Sequence, residues 1–465
     1  MTVERYSAGA AALEQVGWSR LLPRGFRRAV ATLSLLSGAS AIGAFMVFLT
    51  QTLLARILGP QEYGLFASSL ATVTMLAPLA GFGLAQFRTK VYGAEGWGAH
   101  RWLRASLQFS ALTTALALAL LLLWALLIAP ADDTRTLLMV MSPVVLGILA
   151  IELICNKLRL EERFTEMALW LLVTPAARLA VALALLAWPY REGRMVAVAY
   201  GGIAVLLAVA TLPQLTAMAR GRMDLKGHGP RPEAMAPAPA PGMRELWFQA
   251  WPFGVFAALY PVFYQLNTIL LKYISGDAHA GRYSLALAVL TAVYLIPTNV
   301  YPKFLQPMLH RWVVHDRPKF WRVHRQAAVG MLGLGLAVGV SVAVASPWVV
   351  PIVFGPQYAS VAGILAILSV CIPVRFLATA IGAALLTDTY ARFRVHAIAA
   401  ATVATVAMSA LLIPRLAEAG AAWAAVFGES VFLLGTLWGV RRFRRDDRAN
   451  GAVPGAPADS TDSDR

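Results

Sequence analysis

Apolar and polar positions along the chain alternate in long blocks. Twelve apolar runs, roughly 29–54, 63–87, 103–129, 135–156, 165–188, 195–218, 246–271, 282–308, 323–346, 359–386, 393–413 and 419–440, are separated by polar connections. Runs of about 18 residues or more are long enough to cross a bilayer as helices. The breakers Gly59-Pro60, Pro130, Pro189, Gly276 and Pro414 fall at or just beyond the ends of these runs, where a chain stops one helix and turns into the next. The pattern predicts an all-α polytopic membrane protein of about twelve transmembrane helices.

One connection occurs twice. Leu54 to Phe66 reads LARILGPQEYGLF and Leu271 to Tyr283 reads LKYISGDAHAGRY. At a constant offset Gly59 meets Gly276, Gly64 meets Gly281 and Phe66 meets Tyr283. Each copy joins two long apolar runs, and glycine accepts the backbone angles that a tight helix–helix connection demands. We read Gly59, Pro60, Gly64, Gly276 and Gly281 as hinge or turn positions. Their placement, opening each half, predicts two pseudo-repeated six-helix bundles, an arrangement common in secondary transporters.

Charge adds the topology. Hydrophobic residues make up 58% of the chain and charged residues 14%. The formal net charge is +16. In a soluble protein that excess would suggest nucleic acid. Here the Lys and Arg cluster on alternate connections, about 28 on one side against about 7 on the other, the bias of cytoplasmic loops. No nucleic-acid partner is expected, and both termini are predicted to be cytoplasmic. The N-terminal arginines and Ala39-Ser40-Ala41 look like a cleaved signal, but the apolar run continues unbroken to Leu54, which predicts a retained first helix. The predicted organisation is a cytoplasmic tail (1–28), a first bundle (29–218), a Pro/Ala/Arg-rich cytoplasmic linker (219–245), a second bundle (246–440) and a basic, then disordered, tail (441–465). None of the outward connections is long enough for a folded catalytic domain.

Several blocks resemble a known family. LARILGPQEYGLFASSLATVTMLAPLAGFGLAQ is similar to the N-terminal signature of the polysaccharide-biosynthesis flippases, the O-antigen and exopolysaccharide transporters, through Arg56, Leu58, Gly59, Pro60, Tyr63, Gly64, Gly81 and Gly83. VFGPQYASVAGILAILSVCIPVRFLATAIGAALL resembles the C-terminal region of that family, with Phe354, Gly355, Tyr358 and Arg375. LLIPRLAEAGAAWAAVFGE is similar to the pattern before the last helix, except that Ala417 or Glu418 stands where a glycine is expected. The resemblance covers nearly the whole chain and extends to the multidrug/oligosaccharidyl-lipid/polysaccharide exporter superfamily. It implies two six-helix bundles around a central cavity, working by alternating access in the bacterial cytoplasmic membrane. The substrate implied is an undecaprenyl-diphosphate-linked oligosaccharide for O-antigen, capsule or exopolysaccharide synthesis. Membrane lipids, and a glycan polymerase or other assembly proteins, would be the remaining partners.

Candidate site residues follow from what membranes penalise. Arg178 (TPAARLAVAL) and Arg375 (IPVRFLATA) sit mid-span, where a charge is costly and by default functional. Arginine binds phosphate oxygens bidentately and stays charged, so both are candidate cavity cations for a diphosphate. The bland alternative is ion pairing, of Arg178 with Glu152 and of Arg375 with Glu429; the two glutamates are also candidates for ion coupling. Pro175 and Pro373 precede the two arginines, as a broken helix lining a cavity would require, or an ordinary packing kink. Gln265, Asn267 and Asn299, with Tyr260, Tyr264, Tyr294 and Tyr301, form polar and aromatic stripes suited to sugar contact or to interhelical hydrogen bonding. Asp388 reads as a helix cap, Arg88 and Lys90 as topology charges, and His279, His310, His315 and His324 as solvated loop residues. Cys155 and Cys371 lie in apolar runs and read as packing residues. No Walker loop, metal-ligand spacing or catalytic constellation is present. The chain is therefore expected to be a non-enzyme without a cofactor, driven by an ion gradient or the membrane potential. Two other readings stay open, an ion-coupled multidrug exporter of the same superfamily and a non-transporting scaffold for glycan assembly.

Overall fold

The computed structural model describes residues 24–129, 131–189, 191–226, 239–300, 317–385 and 391–451. Among them every regular element is helical. The helices are α1 (Arg24–Leu76), α2 (Leu84–Glu95), α3 (Leu103–Leu127), α4 (Asp132–Met141), α5 (Pro143–Leu160), α6 (Phe164–Ala187), α7 (Gly193–Ala219), α8 (Met243–Ser275), α9 (Asp277–Val300), α10 (Arg317–Phe354), α11 (Val361–Leu368), α12 (Cys371–Gly382) and α13 (Ala391–Gly451). Nine described segments are long and apolar enough to span. Ala31–Leu127 holds three predicted spans and Phe393–Asp446 holds two, which is consistent with twelve. Aliphatic residues such as Leu116, Leu206, Val340 and Ile352 face outward and exposed, a surface suited to lipid rather than water. The chain is a multi-pass membrane protein.

The glycine connections are bends inside apparently continuous helix. Gly59 in α1 has φ 77° and ψ 172°; Gly276, between α8 and α9, has φ 101° and ψ 170°. The two copies share one backbone conformation, in a region that disfavours a Cβ. Gly355, after α10, repeats it with φ 103° and ψ 159°. Gly355-Pro356-Gln357-Tyr358 is thus a third version of the turn, legible in the sequence beside Gly59-Pro60-Gln61 but read there only as part of a family block. The fourth bend falls in α13 at Ala417, with φ 46°, at the position where a family glycine is replaced.

These turns gather at one end of the molecule and join the halves. Gly64 lies against the Asp277 backbone and Gly281. A Cβ on Gly281 would stand 2.8 Å from the Pro60 carbonyl oxygen and 2.9 Å from Gly64 Cα. Only a hydrogen side chain permits α1 and α9 to approach so closely. Around this seam Tyr63, Tyr283 and Tyr358 are buried. Tyr358 donates its hydroxyl to the Ala55 carbonyl at 3.0 Å, and Tyr63 is hydrogen-bonded to Ser284. Arg56 donates Nε to the Val353 carbonyl at 2.7 Å and Nη2 to that of Ile352, capping the C-terminal carbonyls of α10 that have no intrahelical partner.

At the opposite end the halves touch again. Gly81, Phe82 and Gly83 have φ of 78°, 37° and 72°, a sharp bend that ends the second span and starts α2. It pushes the Phe82 ring against Gly254 of α8 and stacks it on Trp247 at 5.3 Å with an interplanar angle of 2°. Phe82 is not glycine, so the left-handed angle costs energy.

Candidate functional site

Between the two seams lies a cavity of about 400 Å3. Its wall comes from both halves: Gln51, Thr50, Phe48 and Leu54 before the Gly59 bend, Tyr63, Ala67 and Thr74 after it, Arg178 of α6, Tyr200 of α7, Gln265 of α8, and Ser284, Leu287 and Thr291 of α9. The lining is apolar with a few polar groups, the usual make-up of a pocket for an organic ligand. Thr50 and Thr74 return their hydroxyls to the carbonyls of Met46 and Leu70 at 2.7 and 2.8 Å, which leaves their methyls and remaining lone pairs as wall.

Arg178 is the cation of this cavity. Its guanidinium carbon stands 4.7 Å from the Tyr200 ring centroid, and Phe66 meets the same ring edge-on at 5.2 Å. A cation–π contact holds the charge without consuming its N–H donors. Among the described residues no carboxylate lies within ion-pair distance of Arg178. Glu152 is elsewhere, hydrogen-bonded to Gln86 and next to Arg159, so the Arg178–Glu152 pair weighed from the sequence is not formed. Gln265 shares the cavity wall with Arg178, although 87 positions of chain (265 − 178) and the interface between the halves separate them.

Arg375 does not line this cavity. It is 6% exposed, faces Glu429 Oε2 at 3.5 Å and donates Nη2 to Tyr260 Oη at 2.9 Å. The rings of Tyr260, Tyr264, Tyr294 and Phe432 surround it at 5.2–5.6 Å. Tyr264 donates to the other Glu429 oxygen at 3.2 Å. This is the ion-pair alternative, assembled because α12 packs along α13 and α8 closes over both. The matched burial of both charges with hydrogen bonds is what such a pair requires.

Asn267 is likewise spent inside the second half. Its Nδ2 donates to Tyr283 Oη at 3.3 Å and to the Ala421 carbonyl at 3.1 Å, and its Oδ1 accepts from Ser409 at 2.7 Å. It ties α8 to α9 and to both limbs of α13. The side chain of Asn299, with Tyr301, Asp388, His310 and His315, lies outside the described residues. Three expectations are corrected. His324 is not solvated but 5% exposed within α10, stacked on Phe320 at 5.8 Å, because an amphipathic stretch of α10 turns it inward. His279 pairs with Glu418, which also takes Arg282 at 2.6 Å. Arg88 is not a surface topology charge but is 3% exposed.

The residues that the sequence did not single out are Tyr200, Gln51 and the threonines of the wall. Each reads as ordinary helix content until folding brings α1, α6, α7 and α9 around one space. The one available signal was the aromatic ring of Tyr200, in the N-terminal third of α7.

Comparison with known proteins agrees with this architecture. The profile of the polysaccharide biosynthesis protein family matches residues 29–308. The chain belongs to the polysaccharide biosynthesis protein family. No curated protein matches the sequence. Among solved structures, the lipid II flippase MurJ in an inward closed conformation aligns with a TM-score of 0.65 at 13% identity, over 88% of this chain and 87% of that one. An inward-facing multidrug resistance transporter of the MATE family, in the MOP superfamily, aligns with a TM-score of 0.68 at 15% identity, over 91% and 100%. The eukaryotic MATE transporter AtDTX14 aligns at 0.60 and 15%, over 91% and 99%. At these identities the likeness is one of fold.

Proposed function

We propose that this protein is a flippase for a lipid-linked, diphosphate-bearing oligosaccharide used in surface polysaccharide synthesis. The observation that carries the reading is Arg178, a cation without a counter-charge among the described residues, on a cavity shared by both halves. Such a charge in an apolar wall is costly unless an anion visits it. A diphosphate supplies that anion, and its oxygens suit the planar guanidinium fork. Gln265, Gln51 and the wall hydroxyls are then positioned for sugar hydroxyls. A cavity of about 400 Å3 admits a diphosphate with the first sugar, and a longer glycan requires the halves to part. Membership of the polysaccharide biosynthesis protein family supports the substrate class, and the MurJ-like fold supports a lipid-linked one.

In this reading the glycine seam closes the outer face and the Phe82–Trp247 seam the cytoplasmic face, with both termini cytoplasmic in a bacterial inner membrane. Opening them alternately would expose Arg178 to each side in turn, driven by an ion gradient or the membrane potential. Arg375 and Glu429 would be structural or coupling groups rather than substrate ligands. A second reading, an ion-coupled multidrug exporter, draws support from the MATE-like fold; the uncompensated arginine disfavours a cationic substrate there.

The test is a deletion strain complemented with wild type, Arg178→Lys or Arg178→Ala. Lipid-linked oligosaccharide should accumulate and surface glycan disappear in the deletion. Wild type should restore both, and Arg178→Ala should insert normally without restoring either. Unchanged lipid pools with raised sensitivity to cationic drugs would replace the flippase by the exporter.

A further inference from the structure

A second polar centre lies away from the transport cavity and shares no residue with it. α2 and the short 3-10 helix Gly96–Trp102 fold against the start of α3 and the end of α7. They enclose a cavity of about 10 Å3 lined by Phe87, Arg88, Val91, Tyr92, Trp102 and Ser106, among others. Its lining carries polar groups that meet no partner among the described residues: Arg88 Nε and Nη2, Tyr92 Oη, Trp102 Nε1 and Ser106 Oγ. Arg88, Tyr92, Trp102 and Ser106 are 3%, 4%, 3% and 0% exposed. Among the described residues the remaining guanidinium nitrogen, Nη1, reaches the Met218 sulfur at 3.8 Å, a weak acceptor. No described carboxylate pairs with Arg88.

Arginine and the indole N–H can only donate, and the two hydroxyls can each turn to donate as well. Four side chains from α2, the 3-10 helix and α3 thus bring unpartnered donors to the wall of one small space, beside a positive charge that no described carboxylate compensates. A cation is excluded by that charge. A water would accept from two of the donors and neutralise nothing, which leaves the cost of burying the guanidinium unmet. A space of about 10 Å3 is that of about one water-sized species, so a monatomic anion fits it better than a phosphate or carboxylate group does. We propose that this pocket binds one small monovalent anion of the size and charge of chloride.

The bound anion would join α2 to the 3-10 helix and α3 through hydrogen bonds from four side chains. α2 begins directly after the Gly81–Gly83 bend that carries Phe82, so the anion braces the helix that anchors this bend. Asn156 of α5 holds the same helix from the other side, donating to the Ala85 carbonyl at 2.8 Å and to Thr89 at 2.9 Å.

The test uses the full-length protein in detergent, melted in sodium chloride, bromide or gluconate at one ionic strength. Chloride and bromide should raise the melting temperature saturably over gluconate. Bromide crystals should show one anomalous peak within hydrogen-bonding distance of Arg88 and Trp102 Nε1. Trp102→Phe removes a charge-assisted hydrogen bond of about 1.5 kcal/mol or more and should raise the half-saturating chloride concentration about tenfold or more. Arg88→Met should abolish the chloride effect, and should it fail to accumulate, Ser106→Ala joins Trp102→Phe to decide. Equal melting temperatures in chloride and gluconate would mean that water alone fills the pocket and would overturn the proposal. So would a chloride effect that is untouched in Trp102→Phe and Ser106→Ala.

Discussion

Gly64→Ala puts a single methyl where the two halves meet. The added Cβ would overlap the Asp277 carbonyl and stand 3.1 Å from the Gly281 nitrogen. These neighbours are backbone, at the first turn of α9, and the Gly276 bend fixes where that turn starts. No side-chain rotation relieves the overlap, so α1 and α9 must separate or the bend must distort. Overpacking of this kind costs about 1–3 kcal/mol, and backbone overlap belongs at the upper end. At 1.4 kcal/mol per tenfold, about 3 kcal/mol shifts the closed-to-open ratio of the seam by on the order of 150-fold. Conformations of a transporter differ by only a few kcal/mol, so the substitution should make the parted seam the majority state. Spin labels on Gln61→Cys and Arg415→Cys, one exposed site on each half at this end, report the distance by double electron–electron resonance. The native cysteines are buried and should stay unlabelled. The expected result is a longer, broader distribution in Gly64→Ala and in Gly281→Ala, with the double variant less than additive because both open one seam. Gly59→Ala is the control: its Cβ meets nothing within 4 Å, so it should lose about 1–2 kcal/mol of stability through its positive φ without moving the seam. An unchanged distribution in Gly64→Ala, with full complementation of surface glycan, would refute the glycine seam as the closure.

Other predictions concern the buried charges and the far seam. Arg178→Ala should lower transport about tenfold to a hundredfold, the loss of a charge-assisted hydrogen bond of about 1.5–3 kcal/mol, with Arg178→Lys intermediate; lipid-linked oligosaccharide flipping in vesicles measures it. Arg375→Gln strands Glu429 in an apolar cage and should destabilise the protein by about 3–5 kcal/mol, seen as a lower melting temperature and poor accumulation, and removing Glu429 as well should cost less than the sum. Gly254→Val would collide with the Phe82 ring and should lengthen distances between labels at Glu95→Cys and Glu245→Cys while leaving the glycine-seam distance unchanged.

Helices, their number and the repeated turn were readable from the chain alone. Twenty apolar residues in a row leave few options in a bilayer, because every backbone polar group must be satisfied within the segment. Gly59 and Gly276 were equally legible, since a positive φ strongly favours glycine. The Ala417 bend was not, because the residue that signals it is missing and its neighbours enforce the angle. Only the tertiary structure separated the two mid-span arginines. In sequence Arg178 and Arg375 are equivalent, each three or two residues after a proline in an apolar run. Their fates depend on what lies opposite, Tyr200 and open space for one, Glu429 and four aromatic rings for the other. The same holds for Gln265 and Asn267, two residues apart on α8. A turn of about 200° between them aims one at the cavity and the other at α13. Composition along a helix says that a polar group must find a partner; which partner it finds is set by the packing of helices distant in the chain.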